Sequence, residues 1–140
     1  MTRSLGLDIG DKRIGVALSD PQSILASPLT IIDCRDENAD IETIIKIIET
    51  HQVKQIIVGL PLSMDGSLGK QAEKVKAFAQ NLSQHTEIPI EFRDERLSTV
   101  SAKRLMQATG RRKPGKRAKH DDAIAAALIL QTYLDEAFTH

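Results

Sequence analysis

Apolar residues between positions 4 and 33 recur every second place, and from position 41 they recur every third or fourth, an order that few folds accommodate. Leu5, Leu7 and Ile9 share one side of a predicted strand over residues 4–9, with Gly6, Asp8 and Gly10 on the other, so Asp8 points away from the apolar set. Residues 10–13 read as a turn. Ile14, Val16 and Leu18 then alternate again, and a third strand is expected over residues 29–33. Three strands in a row with no helix between them make an antiparallel meander. Ile41, Ile44, Ile45 and Ile48 form the stripe of an amphipathic helix, with Asp36, Asn38 or Asp40 as its N-cap. The β-branched run over residues 55–59 suits a buried strand. Val75, Phe78, Ala79 and Leu82 suit a second helix, and Ile88, Ile90 and Phe92 a fifth strand that stops at Arg93, Asp94 and Glu95. Ser98 caps a predicted third helix closed near Gly110, and a last helix begins around Asp121. Strand-helix-strand crossovers after a meander predict an α/β architecture: a mixed five-stranded sheet flanked by helices. No repeat or linker interrupts it, so residues 1–140 read as one domain.

Composition narrows the function. Aromatic residues are 3% of the chain and Trp is absent, which argues against modules that stack bases on exposed rings. Cys34 is the single cysteine, so neither an intrachain disulfide nor a thiolate metal cluster is available, and a reducing compartment follows. No signal-like segment opens the chain and no run approaches the ~18 apolar residues of a membrane span, so a cytoplasmic protein without membrane contact is expected.

Three acidic positions stand out. Asp8 sits within an apolar strand, where a carboxylate loses hydration and needs donors or a cation; it reads either as a capped strand end or as a metal ligand. Glu95, flanked by Asp94 and Arg96, falls where the fifth strand ends, and ligands of α/β sheets collect at such ends; a solvated turn with a surface ion pair is the other reading. Asp121 and Asp122 open a helix whose residues 123–130 are all apolar, which predicts burial on most sides. They are either caps favoured by the helix dipole or acids held close to the sheet. Taken together, carboxylates from a first strand, a later strand end and a buried helix start can converge, and acids without His or Cys suit Mg²⁺ or Mn²⁺. Such a site hydrolyses phosphodiesters.

Lys and Arg total 19, as do Asp and Glu, so the formal net charge is zero. That balance conceals a segregation. Residues 101–119 contain Lys103, Arg104, Arg111, Arg112, Lys113, Lys116, Arg117 and Lys119 and no acid, which leaves the rest of the chain strongly acidic. A solvated loop is one account of the run. A phosphate-gripping loop, binding by counterion release, is the other, and its position just before Asp121 and Asp122 favours it.

Four blocks carry a resemblance: Asp8-Ile-Gly-Asp-Lys-Arg-Ile-Gly-Val-Ala-Leu-Ser-Asp20, Val58-Gly-Leu-Pro-Leu-Ser-Met-Asp-Gly66, Asp94-Glu-Arg-Leu-Ser-Thr99, and Asp122 with the Ala-rich helix through Ile129-Leu-Gln-Thr-Tyr133. In this order, over nearly the whole chain, they resemble the YqgF family, also called the pre-16S rRNA nuclease or RuvX-type Holliday-junction resolvase family. The resemblance implies an RNase H-like fold and a nuclease that processes the 5′ end of 16S rRNA in the cytoplasm during ribosome biogenesis. It implies Asp8, Glu95 and Asp122 as ligands of Mg²⁺ or Mn²⁺, with Asp122 rather than Asp121 in the family's place. Lys12, Arg13, Arg96, Arg111, Arg112, Lys113, Lys116, Arg117 and Lys119 are the expected substrate contacts. The expected partners are structured or precursor rRNA and a ribosomal subunit precursor. A homodimer cutting branched DNA, or a non-catalytic RNA-binding assembly factor, are the alternatives to a monomeric ribonuclease. An actin-like ATPase also begins with Asp-x-Gly but needs a second lobe that 140 residues do not supply.

Overall fold

The meander read from the sequence is present: β1 (Arg3–Ile9) pairs antiparallel with β2 (Arg13–Ser19), and β2 pairs antiparallel with β3 (Ala26–Asp33). This computed structural model describes residues 3–61, 69–94 and 121–138. Helix α1 (Glu37–His51) leads to β4 (Val53–Leu60), which lies parallel to β1, and α2 (Lys70–Ser83) leads to β5 (Ile90–Asp94), parallel to β4. The sheet order is therefore β3-β2-β1-β4-β5, the expected mixed five-stranded sheet. Helix α3 (Asp121–Phe138) closes the described structure. The helix predicted between Ser98 and Gly110 falls outside the described residues.

Alternation along the strands divides the core in two. Leu5, Leu7, Ile9, Ile14 and Val16 face α1 and α2, where Ile41, Ile44, Ile48, Val75, Phe78 and Leu82 cover them. The opposite face of the same strands presents small residues: Gly6 opposite Ala17, and Asp8 opposite Gly15. Against that face lies α3, through Ala126, Ala127, Ile129, Leu130 and Leu134, with Ala126 and Leu130 fully buried. Ile124, Ala125 and Leu128 are part-buried. Small residues on the sheet let the helix backbone itself come close. A Cβ placed on Gly6 would stand 2.8 Å from both the Ala126 carbonyl oxygen and Leu130 Cβ.

Element boundaries differ from the sequence reading where a side chain outcompetes a pattern. β3 begins at Ala26 rather than 29, running through Pro28 with a register shift opposite Val16 and Ala17; a proline is tolerated there because β3 is an edge strand. Asp36, of the three candidate caps, accepts the Ala39 N–H at 2.8 Å and starts α1, while Asp40 is buried and accepts the Arg35 N–H at 3.3 Å. β5 begins at Ile90, not Ile88, because Pro89 has no N–H and the Ile88 N–H is turned to Thr86 Oγ1 at 3.2 Å.

Candidate active site

Asp8 lies near the carboxyl end of β1, half-buried, on the sheet face that α3 covers. Its partner across the antiparallel pair is Gly15, and directly opposite residues stand about 5 Å apart at Cα. Gly15 in turn has no room for a side chain, because a Cβ there would overlap the backbone carbonyl of Asp122. One glycine thus joins the strand that carries Asp8 to the helix start that carries Asp122. Two acids from opposite ends of the sequence are brought to one face and one edge of the sheet.

Asp122 is only 9% exposed, and its Oδ2 accepts a hydrogen bond from Arg13 Nε at 2.8 Å. The two side chains are 38% and 12% exposed, so this ion pair at the edge of solvent contributes about 1 kcal/mol rather than the larger value of a buried one. Arg13 is the first residue of β2, and the turn before it is closed by the Gly10 N–H to its carbonyl at 2.9 Å. Lys12 is exposed in that turn, its carbonyl held by the Cys34 N–H at 2.9 Å. The parallel register of β1, β4 and β5 brings Asp94, the end of β5, to the same sheet edge as Asp8. Arg93 fastens β5 to the helix: its guanidinium lies 5.2 Å over the Tyr133 ring and its Nε 3.1 Å from Glu136 Oε2.

The structure therefore brings together Asp8, Asp122 and Arg13 among the residues picked from the sequence, with Lys12 in the adjoining turn. Glu95, Arg96, Arg111, Arg112, Lys113, Lys116, Arg117 and Lys119 lie outside the described residues. Near the start of α3, the Asp122 carbonyl meets Gly15 and its carboxylate meets Arg13. Among the described residues no three His, Cys, Asp or Glu side chains group to hold a metal. Two of the three predicted ligands are among those residues, and their carboxylate oxygens are the donor type that Mg²⁺ and Mn²⁺ take. Sequence reasoning missed Gly15 and the Arg13–Asp122 bond. The signal for Gly15 was available: glycine inside an alternating strand marks a close backbone approach. Nothing in the sequence pairs Arg13 with an acid that far along the chain.

On the other face of the sheet, Ile9, Cys34, Asp40, Gln71 and Phe78 are among the residues lining a cavity of about 340 Å³. Burial, followed by the nearby Asp40 carboxylate, pushes the Cys34 thiol above its ordinary value of 9.0, which disfavours the thiolate a nucleophile needs.

A mixed sheet in this order, with helices packed on both of its faces, is the RNase H-like fold. Solved structures share that fold. RuvC of Thermus thermophilus in complex with a Holliday junction superimposes with a TM-score of 0.67 at 10% identity, covering 99% of this chain and 97% of that one. The fowlpox virus resolvase with its Holliday junction DNA gives 0.59 at 13% identity, over 97% and 99% of the two chains. The family model of RuvX, described as Holliday junction resolvase, matches residues 2–136, and the chain belongs to that family, as its four motifs led one to expect. A protein of Dehalococcoides mccartyi named "Putative pre-16S rRNA nuclease" is 52% identical over 91% of this chain and 94% of its own length. One of Roseiflexus with the same name is 46% identical over 95% and 94%. The chain is accordingly a nuclease, a hydrolase of phosphodiester bonds. Among the described residues no helix is long and apolar enough to cross a membrane.

Proposed function

We propose that the chain, as one RNase H-like domain over residues 1–140, hydrolyses precursor 16S rRNA at its 5′ end, with Asp8, Glu95 and Asp122 holding Mg²⁺ or Mn²⁺. The observation that carries this reading is the Gly15 contact, which sets Asp122 beside the strand pair of Asp8. Nucleases of this fold generally use divalent metal ions, and bound here such an ion supplies Lewis-acid polarisation of the phosphate and activation of a water. The part of Asp8 and Asp122 is to present oxygens from a strand and a helix rather than from loops. Lys12, Arg13, Arg96 and the basic residues of 111–119 grip phosphates on either side of the scissile bond, which fixes the register of the strand without reading its sequence. The names of the relatives 52% and 46% identical support pre-16S rRNA as the substrate, and our reading sets the reaction in the cytoplasm on a ribosomal subunit precursor.

A second reading, resolution of branched DNA, is favoured by the family's description and by the two junction-bound structural neighbours. It requires a symmetric homodimer, because a four-way junction needs paired cuts. Cleavage of structured RNA and of a four-way DNA junction, side by side with Mg²⁺ or Mn²⁺ against chelator, separates the two; the mass of the junction-bound species is the second readout. Asp8→Asn is expected to abolish metal-dependent cleavage while leaving salt-sensitive RNA binding intact, and undiminished cleavage by that variant rejects the assignment.

A further inference from the structure

We infer that Arg13 is a counter-cation built into the site, one that pairs with Asp122 and competes with a divalent ion for that carboxylate. This rests on the reading of Asp8 and Asp122 as ligands and adds to it a control on when the ion is held. Two carboxylates brought to one sheet face repel each other unless a positive charge stands between or beside them. Arg13 supplies that charge, two residues before Gly15 on β2 and therefore on the same face as Gly15 and Asp8. Its guanidinium bonds Asp122 through Nε, on a side chain still 38% exposed. A guanidinium held at Nε keeps the edge between its two terminal nitrogens for a second anion, and that edge is a fork a phosphate takes in two parallel bonds.

An ion of charge +2 and a guanidinium compete for the same carboxylate, so each weakens the hold of the other. Metal affinity in the absence of nucleic acid is set below what the acids alone would give. A phosphodiester offers Arg13 another anion, so nucleic acid and metal favour each other's binding through this one side chain.

The test is Mn²⁺ titration calorimetry on the full chain without nucleic acid, paired with thermal unfolding of the metal-free protein. Arg13→Met, which keeps the apolar stem and removes the charge, is expected to bind Mn²⁺ about fivefold more tightly, the scale of one ion pair at the edge of solvent. It is also expected to unfold at a lower temperature without metal and to regain that loss at saturating Mn²⁺. Equal or weaker Mn²⁺ binding overturns the inference, because an arginine that merely stabilises the fold leaves affinity unchanged and one that orients Asp122 lowers it. Arg13→Gln, which also removes the charge, carries the same criterion should the Met variant not fold: binding tighter than wild type supports the inference, and equal or weaker binding overturns it. Asp8→Asn tells the two readings apart. If that variant binds Mn²⁺ as well as wild type does, the site itself is misassigned. If it binds poorly while Arg13→Met gains nothing, only the role of Arg13 fails.

Discussion

Gly15 is the residue on which the site's geometry turns, because the atom it makes room for is a backbone carbonyl rather than the far end of a flexible side chain. Gly15→Ala must move the first turn of α3 off β2, and overpacking of that kind costs about 3 kcal/mol. The expected result is a clear drop in the urea midpoint, together with a loss of cleavage at temperatures where the variant is still folded; wild-type values for both would mean that α3 is not held there. Cys34 gives a residue-scale prediction of opposite character. Its folded thiol is raised above 9.0, first by burial and then by Asp40, so the stability it contributes is present below pH 9.0 and is lost as pH rises through the folded value. Alkylation by iodoacetamide at pH 8 should be much slower in the native protein than in denaturant, and equal rates would show the thiol to be open to solvent. The two residues were not equally legible in the sequence. Cys34 could be set aside for want of a second thiol, whereas Gly15 carried a signal that only the position of a distant helix turns into a contact.

The elements behave as their local chemistry requires. Asp36 caps α1 with one hydrogen bond to the Ala39 N–H, on the sheet face opposite α3, so Asp36→Ala should cost about 1 kcal/mol in chemical denaturation and leave the rate of the folded enzyme unchanged. Leu130 is fully buried between α3 and the Gly6 side of the sheet, and Leu130→Ala should cost about 3 kcal/mol by leaving a cavity; a variant losing under half of that would mean the helix resettles freely. Periods of two and of 3.6 residues were enough to read the meander, α1, α2 and the sheet they build, since each of those patterns is enforced by the burial of one face. Boundaries were not, because they are decided by single groups. Pro28 is acceptable in β3 because no described strand pairs on its far side, and Pro89 delays β5 through an N–H it does not have. The choice of Asp36 over Asn38 and Asp40 likewise depends on which carboxylate finds a free N–H, a matter of rotamer and backbone angle.

At the scale of the whole molecule, two features of the sequence meet: acids gathered by the fold and cations gathered by the chain. Convergence of Asp8 and Asp122 could be suspected from residue type, but it was fixed by the packing of small residues Gly6, Gly15, Ala17 and Ala126, whose meaning lies in three dimensions. Charge segregation needs no structure, being a property of residues 101–119 themselves. A zero net charge gives no long-range attraction for a polyanion, so binding must come from local phosphate contacts that release counterions. If six or more of the basic residues act in this way, affinity for duplex RNA should fall about a thousandfold between 50 and 200 mM salt. Replacing Arg111, Arg112 and Lys113 by Gln should flatten the plot of log affinity against log salt by about 0.9 for each phosphate no longer neutralised, equally for RNAs of different sequence. Asp8→Asn should leave that slope where it was, because the role proposed for this acid lies in the chemistry and not in the grip. A slope unmoved by the triple substitution would assign phosphate binding to other cations, with Lys12 and Arg13 at the sheet edge the first to test.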